Sequence, residues 1–477
     1  MKNTIIKYLG KLKDLLNTYY KVLSKVFQKA VSTIRPVFKK FCFFIKKYYF
    51  VLSKKEKSII GLLLVVLLAN IYLLAKSNNE KNTVLAPDRG GIFIEGAIGK
   101  KAADFQQTID KLTKVGLVRF DLDGKLVPDL ASSWEITNLD KNYTFRLRDF
   151  VNSTEIVSIL NSKKDIFQNI NIKNPDEHTV EFDLSQPYSP FLASLTTPYF
   201  PYGPYKIEKE TKTEIRLSVN NDFYLGVPNI ETIVLRFYPD EENILRAFKQ
   251  KEIDGIAQID NSLEKKGYNN FQMKLPQWQV LFFNLNRDVF KEKSVRQNLA
   301  NNKKLDKNIE VTLVTSNKEP YISEASNLKT AWSALGATIQ IVSRDPLELQ
   351  KDIIPKRDYD LLLYGVDYGT DPDPYPFWHS SQNAEAGLNL SGFANIDADK
   401  LLEEARLTTD WPKRQELYAK FQQIMDDERP AMFIKQTEIN YIISSKVKGI
   451  IAHDGINPSD RYSQVWTWYI IEKRVKK

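Results

Sequence analysis

The stretch "GLVRFDLDGKLVPDLASSWEITNLDKNYTFRLRD", residues 116–149, decides how the folded part of this chain is built. Inside it, "PDLASSWEI" and "YTFRLRD" set apolar and polar residues in alternation, the two-residue period of a half-buried strand pair. Further on, "TVEFDL" (179–184), "EIRLSV" (214–219) and "TIVLRFY" (232–238) read as strands, whereas "NILRAFKQKEID" (243–254) has helical spacing. Gly203 and Pro204 predict a turn ahead of a strand that starts at Tyr205. In "DKLLEEARLTTDWPKRQELYAKFQQIMDDE" (399–428), Asp410 and Pro412 predict a fresh helix start, hence two helices rather than one. From residue 91 onward the organisation is α/β, with no short internal repeat.

A second stretch points to function. "DLLLYGVDYGTDPDPYPFWHSSQ", residues 360–382, is a hydrophobic run that breaks into aspartates, prolines and aromatics. Proline fixes φ and removes a donor, so this is a stiff loop at the end of a buried strand. Asp367, Asp371 and Asp373 have a spacing that suggests calcium, but Pro372, Pro374 and Pro376 oppose the flexible glycine turn of an EF-hand loop. His178, His379 and His453 are scattered, outside any metal-ligand spacing. No GxSxG, HExxH or P-loop occurs. Neither catalytic chemistry, nor a metal, nor a cofactor is expected.

Charge separates the ends of the chain. Residues 1–57 hold fifteen Lys/Arg and two Asp/Glu, a balance of +13 that leaves −4 for residues 58–477 against +9 overall. The basic signal is confined to the N-terminal segment, and a nucleic-acid partner is not expected. Within it, Ile5, Leu9, Leu12, Leu16, Tyr19, Leu23, Val26, Ala30 and Ile34 fall at helical spacing with lysines opposite. Such a basic amphipathic helix suits the anionic inner leaflet, or the face of a partner protein. Then "SIIGLLLVVLLANIYLLA" (58–75) carries no charge and, at 1.5 Å per residue, spans about 27 Å, close to the bilayer core. The lysines before it place the N-terminus in the cytoplasm and the rest outside. The long n-region and the poor cleavage site at "LLAK" favour an uncleaved signal anchor over a signal peptide. Residues 76–90 read as a linker. Cys42 is the only cysteine, so the outer part has no disulfide.

Residues 116–149, together with "PYGPYKIE" (201–208), "VNNDFYLGVPNIETIVLRFYPDEENILRAFKQKEIDG" (219–255), "FFNLNRDVFKEKSVRQNLA" (282–300), the aspartate–proline loop through "RPAMFIKQ", and "DRYSQVWTWYI" (460–470), resemble family 5 extracellular solute-binding proteins. These are the oligopeptide- and dipeptide-binding components of ABC importers. The blocks follow the family's order across most of residues 91–470. The resemblance implies a two-lobe periplasmic-binding-protein-like domain (type II, cluster C-like) with hinge strands. Lobe I would be residues 91–276, with 441–477 returning to it, and lobe II residues 277–440. It also implies a peptide or peptide-like solute held between the lobes, and ABC permease subunits as partners. By the same resemblance Asp367 takes the ligand's α-ammonium, with Asp371 in reserve. Trp278 and Trp378 would supply apolar and stacking surface, with Tyr364 and Tyr368 beside the acidic loop, and for each of these aromatics a place in the core is the equal alternative. Trp134, Trp466 and Trp468 are assigned to the core, and "DRYSQVWTWYI" to a return strand.

The chain also departs from the family. It runs from "LRD" straight to "FVNSTEIVSIL", is short before "PYGPY", and reaches "NNKKLDKNIEVTLVT" directly after "VRQNLA". The implied molecule is a membrane-tethered, single-pass protein with an extracytoplasmic solute-binding domain. The alternative is an envelope sensor or interaction protein on the same scaffold, with a reduced pocket.

Overall fold

The computed structural model describes residues 83–163, 166–257 and 267–476, with scattered positions between 53 and 73. Residues 1–52, eight of the eighteen positions of the apolar run 58–75 and residues 76–82 of the linker lie outside the described residues, so the expected amphipathic helix does too and the expected membrane span does in part. Leu62, Val65, Leu68 and Leu73 within that run are helical and exposed. Among the described residues no helix is long and apolar enough to cross a membrane. The chain divides into two compact units, Met1–Ala86 with Arg474–Lys477, and Pro87–Lys473. Strands are numbered in chain order: β1 (Thr83–Asp88) and β18 (Ile471–Lys476) form a two-stranded sheet.

Inside Pro87–Lys473, the opening stretch folds into two hairpins. β3 (Val118–Phe120) pairs with β4 (Leu126–Pro128), and β5 (Ala131–Thr137) pairs antiparallel with β6 (Asn142–Leu147). β8 (Thr179–Leu184) and β7 (Ile170–Asp176) extend the second hairpin into a four-stranded sheet. The alternation seen in the sequence is the inward face of that sheet: Tyr143, Phe145, Val180 and Phe182 are buried against Phe191.

A ten-stranded sheet runs through the same unit. One half consists of β15 (Ala337–Arg344), β14 (Ile309–Ser316), β16 (Leu361–Asp367) and β13 (Tyr268–Phe283), in that order. The other half is β17 (Ala431–Ser444), β12 (Gly255–Ala257), β2 (Ile92–Ile98), β11 (Thr232–Tyr238), β10 (Glu214–Val219) and β9 (Tyr205–Glu210). β14, β15 and β16 are parallel, and β16 is buried on both faces, which is why "LLLYGV" shows no alternation. The two halves of the sheet have separate cores. Phe93, Ile233, Leu235 and Trp468 lie in one, and Phe282, Leu362, Trp378 and Phe421 in another.

The long strands β13 and β17 connect the two halves. They pair antiparallel from Tyr268↔Ser444 to Phe282↔Ala431, with a break in register between Lys274 and Trp278. Pro276 has no N–H to give in that gap. Side chain and loop take over there: Gln436 Nε2 donates to Leu275 O at 2.9 Å, and the Tyr368 amide donates to Pro276 O at 3.0 Å.

Local chemistry sets the helices. α1 (Gln106–Thr113) packs under Gly203, where a Cβ would lie 2.3 Å from the Thr113 carbonyl carbon. The 399–428 stretch is two helices, α2 (Ile396–Arg406) and α3 (Trp411–Glu428). Asp410 caps α3 by accepting from the Lys413 amide, and Pro412 lies in its first turn. "DRYSQVWTWYI" is not a strand. Pro458–Tyr462 and Val465–Thr467 are 3₁₀ turns, and the strand begins only at Ile471. Pro458 and the Asn457–Asp460 capping box hold the chain in a turn there.

Candidate functional site

A cavity of 1220 Å³ lies within Pro87–Lys473. Its wall comes from the β3–β4 hairpin, the 189–199 segment, the loop after β16, the start of α3 and the 452–466 segment.

The hairpin wall is built by the "DLDGK" turn. Asp121 Oδ1 accepts from the amides of Asp123 and Lys125, both at 2.9 Å, and Gly124 takes φ +74°, a left-handed conformation that favours glycine. This fixes Arg119, Phe120 and Leu126 on the wall. Just beyond, Asp129 is buried. Its Oδ1 accepts from the Tyr224 hydroxyl at 2.5 Å, and its main-chain carbonyl accepts from Arg148 Nε at 2.7 Å. Burial pushes the Asp129 carboxyl above the usual range, with the Tyr224 hydrogen bond opposing.

From the other side come Gly369, Thr370, Asp371 and Pro372 of the aspartate–proline loop. Arg414 of α3 holds Asp371 with two hydrogen bonds of 2.6 and 3.0 Å and donates to the Tyr418 hydroxyl at 2.7 Å. Its side chain is only 4% exposed. Arg406 of α2 holds Asp373 at 2.6 Å and stacks on Tyr375, 3.9 Å from the ring centroid. The loop is thus pinned by two arginines from the following helices.

Hydrogen bonds close the far end of the cavity. The Ser189 amide donates to Arg406 O at 2.9 Å, Ser189 Oγ donates to Ala405 O at 3.0 Å, and the Thr409 amide donates to Asp140 Oδ2 at 3.0 Å. Ser189 and Thr409 lie on the cavity wall, as does Pro276 at the strand break. In the 452–466 segment, Lys111 pairs with the buried Asp460 at 2.7 Å. Burial works against the charge of Asp460, but Lys111 holds its carboxyl below the usual range.

The sequence-derived site residues fall in different places. Asp367 is exposed at the end of β16. Its two oxygens accept from Gln277 Nε2 at 2.9 Å and the Gly369 amide at 2.8 Å, and the cavity wall begins two residues later. Asp371 is on the wall, already bound to Arg414. Trp378 is buried, and its indole N–H donates to the Tyr368 hydroxyl at 3.2 Å. Burial pushes the Tyr368 hydroxyl up to about 12. Trp278 is half-buried with its ring edge against Phe433, and Tyr364 accepts from Gln350 at 3.0 Å. Arg119 and Trp411 are among the wall residues that the sequence did not single out for the site. Trp466, expected in the core, packs on it from the edge and also lines the cavity, whereas Trp468 is fully enclosed.

Residues 158–301 match the family model for bacterial extracellular solute-binding proteins, family 5 middle. The probable D,D-dipeptide-binding periplasmic protein DdpA of Escherichia coli is 22% identical over 441 residues, covering 70% of this chain and 85% of that protein. The ABC transporter substrate-binding protein CtaP of Listeria monocytogenes has the same fold, with a TM-score of 0.68, 22% identity, and coverage of 80% of this chain and 100% of that one. The periplasmic binding protein DppA of Helicobacter pylori, in complex with the peptide STSA, superposes with a TM-score of 0.59 at 17% identity, covering 83% of this chain and 99% of that one. Across residues 158–301 the sequence is similar to the bacterial extracellular solute-binding proteins, family 5, and the fold is similar to that of solved substrate-binding proteins.

Proposed function

We propose that this protein is the membrane-tethered solute-binding component of an ABC importer and that it takes up peptides in the cavity between its lobes. The observation that carries this reading is the cavity itself. Its 1220 Å³ exceeds the roughly 300–1,000 Å³ of ordinary small-molecule sites, and it is bounded by a strand break suited to a hinge. An extended peptide would lie against cleft backbone and be enclosed as the lobes close. The residues 91–276 and 441–477 form lobe I in this reading, and residues 277–440 form lobe II.

Asp367 remains the proposed partner of the ligand ammonium. Its present hydrogen-bond donors are neutral, and among the described residues no lysine or arginine stands within ion-pair distance of it. Asp371 is less suited because Arg414 already compensates its charge. Tyr368, Trp378, Trp278 and Tyr364 would back the loop. The run 58–75 is proposed as the anchor, with the basic segment on the inner leaflet and the domain outside the cell. Asn70 Nδ2 donates to Val66 O at 2.9 Å, so the amide in that run is satisfied by its own helix, as hydrocarbon demands. An envelope sensor on this scaffold is the second reading. It is favoured by the Ser189–Ala405 and Thr409–Asp140 bonds, which tie the two proposed lobes directly to each other.

Binding is tested by thermal melting with mixed di- to hexapeptides. A ligand that binds only the folded state raises the midpoint by mass action, by about 2.7 kcal/mol of stability at a hundredfold excess over Kd. Asp367→Asn should weaken binding by about 2–5 kcal/mol, and N-acetylation of the peptide should cost the variant far less than wild type. No midpoint rise at millimolar peptide would favour the sensor, and additive losses would remove Asp367 from the site.

A further inference from the structure

We infer that Arg119 is the carboxylate-binding residue of the cavity, so that a ligand held there presents a free carboxylate to the β3–β4 hairpin. This rests on the peptide-binding reading and gives the bound peptide a direction, with its carboxylate at the hairpin and its ammonium at the loop after β16.

Arg119 is a wall residue whose side chain keeps 30% of its exposure. Among the described residues its guanidinium makes no hydrogen bond, and its Nε is buried without a partner. The nearest carboxylate oxygen, Asp129 Oδ1, is 3.9 Å away, beyond hydrogen-bond reach, and already takes the Tyr224 hydroxyl.

Three other cations on the wall are paired. Asp460 takes Lys111 at 2.7 Å, Asp110 takes Lys114 at 2.8 Å, and Asp371 takes Arg414 at 2.6 Å. Lys125 is solvated at the hairpin turn, and the Lys163 ammonium lies 5.9 Å from the Tyr199 ring centroid. A planar fork of donors left without acceptors in a cavity matches a carboxylate, which accepts two of those N–H groups at once.

The test uses the full chain in detergent and isothermal titration with three probes: trialanine, its C-terminal amide, and the amide of alanyl-glutamyl-alanine. Wild type should bind the free acid on the order of tenfold or more tighter than the amide. Arg119→Met should bind acid and amide alike, at about the wild-type amide affinity, and Arg119→Lys should fall between. Recovery with the glutamyl amide would assign the site to a side-chain carboxylate, and no recovery to the peptide's C-terminus. Equal binding of acid and amide by wild type, or an equal loss of both in Arg119→Met, would overturn the assignment while leaving peptide binding intact. Failure of wild type to bind any probe would instead remove the peptide reading, and this one with it. Melting without peptide identifies a misfolded Arg119→Met variant, in which case Arg119→Lys decides.

Discussion

Asp129 is the residue whose protonation the fold most directly controls on the cavity side. Burial raises its folded-state pKa above the ordinary 3.8. Just above pH 3.8 the folded protein therefore keeps a proton that the unfolded chain has released. Folding takes up that proton, so this group's contribution to stability is greatest below 3.8 and declines as pH rises through the raised value. Asp129→Asn retains an acceptor for the Tyr224 hydroxyl and cannot ionise. The midpoint of wild type relative to this variant should fall as pH rises above 3.8, as read by thermal melts. A difference that is flat with pH, or that rises, would show that the buried carboxyl ionises without penalty. Arg414 illustrates the opposite balance. It keeps its charge in a buried site because Asp371 supplies two hydrogen bonds, and burial alone would have lowered its affinity for the proton.

At the scale of elements, the best-specified feature is the start of α3. Asp410→Ala removes the acceptor for the Lys413 amide and should cost about 1 kcal/mol, whereas Asp410→Asn, which still caps, should cost little. Chemical denaturation of both variants checks the difference. The two helices of 399–428 were legible because Asp410 and Pro412 act locally, and the hairpins because their two-residue period is also local. The cavity was legible only at one edge. Its loop announced itself through prolines and aspartates, but Arg119, Trp411 and Trp466 come together from three distant segments, and no short-range pattern marks such a meeting. Trp466 misled for a specific reason. In a strand it would share a face with Trp468, but the 3₁₀ turn Val465–Thr467 rotates the two apart, placing one on the cavity and the other in the core.

For the whole molecule, the charge asymmetry carries a topological prediction. Protease added to intact cells should remove the domain beyond residue 76 and leave the basic N-terminal segment protected, as detected with antibodies to each end. Protection of the C-terminal domain would place it inside and end the importer reading. The break in pairing between Lys274 and Trp278 also has a mechanical side. Ladders on either flank resist bending, so a twist between the two proposed lobes would concentrate in the few residues that lack them. The carbonyls of Leu275 and Pro276 sit at this fulcrum, and they are gripped by Gln436 and by the first residue of the aspartate–proline loop. In the proposed reading, any rotation of one lobe against the other would therefore tug on the loop at the cavity wall. Occupancy of the cavity and posture of the molecule become two readings of one lever, and a surface that docks across both lobes could tell a filled protein from an empty one without touching what it carries.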